Sequence, residues 1–129
     1  MKKFHLHLVS DSTGETVSSV SRACLAQFDG IGAEEHVWSL VRTQGQLEKM
    51  IASLDTLPGM VLFTLVDPQM REQLRQACGL RGLPCVPILG HVIREMSNYL
   101  DQEATGHTGA QYELSEDYFA RIEAINFAL

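Results

Sequence analysis

The chain has 129 residues, enough for one domain around one core. Sixteen Asp and Glu against ten Lys and Arg leave a formal charge of −6, which argues against binding a nucleic-acid backbone through clustered cations. Hydrophobic content of 45% suits a folded soluble protein, and no run approaches the roughly 18–20 apolar residues of a membrane-spanning helix.

The N-terminus carries Lys2 and Lys3 but no long apolar stretch with a small-residue cleavage site, so no signal peptide is expected. Cys24, Cys78 and Cys85 form no CxxC pair, which points to reduced thiols in a cytoplasmic protein.

Strand and helix patterns alternate. Phe4–Ser10 alternates in polarity and reads as a first strand. A first helix over Gly14–Phe28 would bury Val17, Val20, Cys24 and Phe28, with the glycines of Asp29-Gly30-Ile31-Gly32 closing it. A second strand is expected at Glu35–Leu40. A second helix follows Thr43, with Leu47, Met50, Ile51 and Leu54 on one face. Pro58-Gly59 marks a turn.

The run Met60–Val66 is almost wholly apolar, as in a parallel strand covered on both faces. Asp67-Pro68 then supplies an N-cap and a first helical residue, and Met70, Leu74, Ala77 and Cys78 form the buried stripe. Cys85–Leu89 is short and contains Pro87, which suits an edge strand. A fourth helix over His91–Asp101 would turn Val92, Met96, Tyr99 and Leu100 inward. Glu103–Glu113 reads as a loop, and a last helix from Ser115 places Tyr118, Ile122, Ile125 and Leu129 on one side.

These elements predict an α/β fold. It is three-layered and Rossmann-like, with a mostly parallel four-stranded sheet in the order 2-1-3-4 and an extra C-terminal helix. The division is an α/β domain over 1–103 and a loop and helix over 104–129. In the predicted order the first loop lies where the sheet switches direction, the place at which open α/β sheets bind ligands.

That loop is the richest segment of the chain. Six of the eight residues in Val9-Ser10-Asp11-Ser12-Thr13-Gly14-Glu15-Thr16 can hydrogen-bond through their side chains. Ser12 and Glu15 fit a capping box, which would account for those two residues alone. Asp11, Ser12, Thr13, Gly14, Glu15 and Thr16 are therefore the candidate ligand-binding residues. A helix N-terminus with spare hydroxyls suits phosphate, although Asp11 and Glu15 oppose it unless a cation intervenes. Arg42, in the neighbouring loop, could offset Asp11 or pair with a phosphate. Thr64 and Asp67 would face the same crevice, Asp67 as the cap of the third helix.

Neither GxGxxG nor GxxxxGK[ST] is present, so the usual grip on nucleotide phosphates is lacking. His5 and His7 share one face of a strand and could bind metal. Spacing supplies no third ligand, and they read as a packed or edge pair with no metal site. His91 could cap a helix or line the crevice. No catalytic nucleophile–base pair is identifiable from spacing.

Two stretches carry a resemblance. Ser10-Asp11-Ser12-Thr13-Gly14-Glu15-Thr16 near the N-terminus resembles the opening of the bacterial and plant pyruvate, phosphate dikinase and phosphoenolpyruvate synthetase regulatory proteins. Asp117-Tyr118-Phe119-Ala120-Arg121-Ile122-Glu123-Ala124-Ile125-Asn126-Phe127-Ala128 resembles a second stretch of the same family, preceded by Gly109-Ala110-Gln111-Tyr112. Tyr112 and Asn126 depart from the His and Glu common there.

The resemblance implies the N-terminal domain of a bifunctional serine/threonine kinase and phosphorylase. Such a protein uses ADP to phosphorylate a threonine of the target enzyme and removes that phosphate with inorganic phosphate. It implies phosphoenolpyruvate synthetase or pyruvate, phosphate dikinase as partner. It also implies a P-loop in a C-terminal half beyond this chain, where ADP and phosphate are mainly bound, and a possible homodimer. No cofactor is expected within these residues, and the chain alone is expected to be inactive. A non-catalytic module that docks the target, or one that senses an anion, is the alternative.

Overall fold

The computed structural model describes residues 2–105. The elements are β1 (Lys2–Ser10), α1 (Glu15–Leu25), β2 (Ile31–Trp38), α2 (Gln44–Thr56), β3 (Gly59–Thr64), α3 (Pro68–Leu80), β4 (Cys85–Pro87) and α4 (Gly90–Leu100). The four strands are parallel and lie in the order β2-β1-β3-β4, as predicted. Ser115 and the residues of the expected last helix lie outside the described residues, as does the second family-like stretch.

Strand alternation sorts the core into two layers. Val9, Val61, Phe63 and Leu65 face α2 and α3, meeting Leu47, Met50, Leu54, Met70, Leu74 and Cys78. Leu6, Leu8 and Leu62 face the other way and meet Val17 of α1. β3 is covered on both faces and is accordingly an unbroken apolar run, whereas β1 places His5 and His7 among its apolar residues. The pair Arg81–Asp55, with Nε–Oδ1 at 2.8 Å and Nη2–Oδ2 at 3.2 Å, ties the ends of α2 and α3 together.

Several local expectations hold. Asp67 caps α3 by accepting the Gln69 N–H at 2.8 Å, with Pro68 in the first turn. β4 is an edge strand of three residues that ends on Pro87.

Four expectations are corrected. β2 begins at Ile31, not Glu35, because Gly30 (φ 70°) makes the turn and Ile31 and Gly32 already pair with Lys2 and Lys3. It stops at Trp38, and Leu40 then takes φ 56°. In α1 the inward line is Val17, Ser21 and Leu25, at i, i+4 and i+8. Cys24 and Phe28 are exposed, since the buried serine disguises the phase of the stripe and Phe28 lies beyond the helix.

The capping box is the third correction. α1 starts at Gly14 with no side-chain cap, so Ser12 and Glu15 do not form one. The box sits instead on α2, where Thr43 and Gln46 satisfy each other's backbone N–H groups. Fourth, Val92, Met96, Tyr99 and Leu100 of α4 are exposed among the described residues. Among the described residues β4 is three residues long and is the last strand on that side of the sheet.

His7 is fully buried. Its Nε2–H donates to the Leu57 carbonyl at 2.7 Å, and its Nδ1 accepts the Trp38 indole N–H at 3.3 Å. Both partners require the neutral ring, and burial pushes its pKa below the ordinary histidine value. The thiols of Cys78 and Cys85 face each other, and all three cysteines are free. No helix among the described residues is long and apolar enough to cross a membrane.

Candidate functional site

The carboxyl ends of β1, β2 and β3 are drawn together by the loops that leave them. Val41 N–H donates to the Ser10 carbonyl at 2.9 Å and Leu40 N–H to the Ser12 carbonyl at 2.8 Å. The first and second loops are thereby zipped side by side. Ser10 Oγ accepts the Ser12 N–H at 3.0 Å, tightening the first loop on itself.

Asp11 lies at the centre. It is 2% exposed. Its Oδ2 accepts the Val66 N–H at 3.0 Å, which fastens the first loop to the segment leaving β3. Its Oδ1 is buried without a hydrogen-bond partner among the described residues, as is Thr64 Oγ1 at the end of β3. Desolvation raises the Asp11 pKa above the ordinary carboxylate value, and the Val66 N–H, the residue's own N–H and nearby Arg42 only partly offset this. A buried acceptor left unpaired costs about 1–3 kcal/mol, so its presence marks this loop as more than a connection.

Arg42 reaches the same place from β2. Its Nε donates to the Asp11 backbone carbonyl at 2.7 Å. Its own N–H is held at 2.8 Å by Gln46 Oε1, the side chain of the α2 capping box. The arginine is exposed as a whole, and among the described residues its guanidinium is anchored at one nitrogen.

Gly14 turns the chain into α1 with φ 90°. As the N-cap, Gly14 brings no side chain of its own to bond the first N–H groups of α1, which carry the partial positive charge of the helix end. An open depression of about 340 Å³ lies there, lined by Thr13, Gly14, Glu15, Ser18, Ser19 and Arg22. Thr13 and Glu15 are exposed, whereas Ser12 and Gly14 are buried and Thr16 is partly so. The structure thus divides the predicted run. Asp11 and Ser12 are internal braces, and Thr13, Gly14 and Glu15 line the open side.

The sequence did not single out Gln46, Val66 or Leu40 as parts of this site. The Thr43-x-x-Gln46 spacing before an apolar run could have revealed Gln46. Nothing in the sequence marks Val66, which contributes only a backbone N–H, or the left-handed Leu40. His91 is exposed in the first turn of α4, and Asp67 serves as the cap already described.

The family model described as kinase/pyrophosphorylase matches residues 6–129. The chain belongs to the kinase/pyrophosphorylase family. It is 54% identical over its whole length to a protein of Paramagnetospirillum magneticum named as a pyruvate, phosphate dikinase regulatory protein, and covers 42% of that relative. A protein of the same name from Rhodospirillum rubrum is 46% identical over 129 residues and is 47% covered. Another, from Chelativorans sp., is 47% identical over 126 residues and is 46% covered. The chain spans less than half the length of these relatives.

Within this kinase/pyrophosphorylase chain Gly14 has a testable role. A side chain there must adopt a left-handed backbone and meet Val37 Cγ1 at 3.4 Å. Gly14→Ala is expected to cost about 1–2 kcal/mol in urea denaturation, the penalty of that conformation.

Proposed function

We propose that this chain is the N-terminal part of a cytoplasmic regulatory enzyme acting on pyruvate, phosphate dikinase or phosphoenolpyruvate synthetase. The enzyme transfers a phosphoryl group from ADP to a threonine of the target and removes it with inorganic phosphate. Family membership and the relatives' name support the reading. The observation that carries it here is the buried Asp11, with Oδ1 unpartnered among the described residues, at the switch point beside a helix start whose N-cap is a glycine.

Phosphoryl transfer depends on positioning and charge neutralisation more than on covalent chemistry. The α1 N–H groups and the Arg42 guanidinium supply positive potential for an anion. Asp11 holds the first loop against β3 and the second loop through Arg42, fixing the spacing of those donors. These residues make one wall of a cleft. The longer relatives have further chain with which to supply the opposite wall and the grip on ADP.

The test uses purified target enzyme and ADP. The chain alone is expected to bind ADP weakly and to transfer no phosphate. Joined to the remaining portion of the Paramagnetospirillum magneticum relative, it is expected to add one phosphate to a target threonine, read by mass spectrometry. Full transfer by residues 1–129 alone, or none by the joined protein, overturns the reading.

A second reading has its own observation, the depression at the start of α1 with Arg22 on its rim. An anion sensor or target-docking module would bind inorganic phosphate or the target there without chemistry. Phosphate binding by the chain, unchanged after joining and unaccompanied by transfer, favours that reading.

A further inference from the structure

At the other end of β1, about 15–20 Å from Asp11 at the rise of an extended strand, three side chains with lone pairs converge. In the parallel register His5 lies opposite Glu34 and His7 opposite His36. Period-two alternation puts all four on one face of the sheet. His5 Nδ1 is 3.0 Å from His36 Nε2 and 3.4 Å from Glu34 Oε2. One ligand atom from each of His5, Glu34 and His36 lies within 4.8 Å of the others.

A hydrogen bond alone explains this cluster incompletely. One proton on His5 Nδ1 can serve His36 or Glu34 well, but not both. A divalent cation serves all three lone pairs at once. Ligands about 2.0–2.1 Å from a tetrahedral ion stand about 3.3 Å apart, close to the two shortest separations here. The His36 ring is also pre-set, because it stacks on buried His7 with centroids 4.9 Å apart and planes at 28°. His7 is itself fixed by Leu57 and Trp38.

We propose that His5, Glu34 and His36 form a binding site for Zn²⁺ or a similar first-row divalent ion. Two imidazoles and one carboxylate suit that class and disfavour Mg²⁺ and Ca²⁺, which take oxygen ligands. Glu34 is exposed, so a fourth position stays open to water. An open depression of about 390 Å³ lined by Lys3, Phe4, His5, Gly32, Ala33 and Glu34 lies on this side. The ion would clamp edge strand β2 to β1, and it is independent of the crevice at the opposite end of the sheet.

The test is calorimetric titration of tag-free, chelator-treated chain with ZnCl₂, with CoCl₂ used as an absorbance probe of ligand geometry. One equivalent of Zn²⁺ is expected to bind, and Mg²⁺ not at all. Glu34→Gln and His36→Gln should each weaken Zn²⁺ binding by more than tenfold, beyond the lower end of the about 10–100-fold that outer-shell changes cost. His91→Gln should leave it unchanged. Absence of stoichiometric binding, or binding that survives both Glu34→Gln and His36→Gln, overturns the site. Glu34 is an exposed edge residue, so Glu34→Gln decides the matter even where a histidine variant fails to fold.

Discussion

Asp11→Asn is expected to leave stability within about 1 kcal/mol of the parent, because the amide oxygen can still accept the Val66 N–H. Asp11→Ala, which strands that N–H, should cost about 1–3 kcal/mol. The two variants separate the brace from the charge. In the folded protein the Asp11 pKa is raised by burial. Above the ordinary carboxylate value of 3.8 the unfolded chain has lost the proton while the folded chain retains it. The stability that Asp11 contributes is therefore fully present below that pH and is lost as pH rises through the folded value. Urea denaturation from pH 3 upward should show this downward slope in the parent and a flatter profile in Asp11→Asn. With the chain joined to the remaining portion of the Paramagnetospirillum magneticum relative, the proposed activity predicts that Asp11→Asn lowers phosphoryl transfer by about tenfold or more, within the range set by positioned acid–base and charge effects. Unchanged transfer would reduce Asp11 to a structural brace.

The fold was legible because its signals were periodic and redundant. The unbroken apolar run of β3, with the right-handed crossover rule, pointed to the parallel 2-1-3-4 sheet, while Asp67-Pro68 marked the start of α3 and Pro87 an edge strand. Errors fell where one residue carries two meanings. Ser21 is buried though polar, so the apolar pattern alone sets α1 one residue out of phase. The glycines of Asp29-Gly30-Ile31-Gly32 have the pattern of a helix closure, but only Gly30 makes the turn and Gly32 belongs to β2.

The candidate site was legible only as a polar loop at a switch point. Its bracing runs through backbone groups, namely Val66 N–H, the Asp11 carbonyl and the Ser10 and Ser12 carbonyls, which no side-chain pattern encodes. The His5–Glu34–His36 cluster escaped for a related reason. Its ligands lie on two strands, and only the β1–β2 register brings them face to face.

β1 and β3 approach so closely at Gly59 that an added Cβ would meet other atoms at under 3.0 Å. Gly59 pairs with His5 at the first step of the β1–β3 ladder. A Cβ at Gly59 would drive into the His5 backbone carbonyl and its attached carbon. The obstacle is main chain within a central strand, so no rotamer change relieves it. The Leu57 carbonyl just before it is already clasped by His7, so the turn cannot slide away without breaking a buried hydrogen bond. Gly59→Ala should therefore cost about 1–3 kcal/mol, the usual range for overpacking a core, and Gly59→Val more. Gly45→Ala is the control. Gly45 lies in α2 with nothing within 4 Å of the added carbon. The substitution there should stabilise by about 0.5–1 kcal/mol through helix propensity. Thermal and urea denaturation followed by circular dichroism should thus move in opposite directions for two identical substitutions. A Gly59→Ala protein as stable as the parent would show that β3 can pair with β1 from farther away than the structure has it.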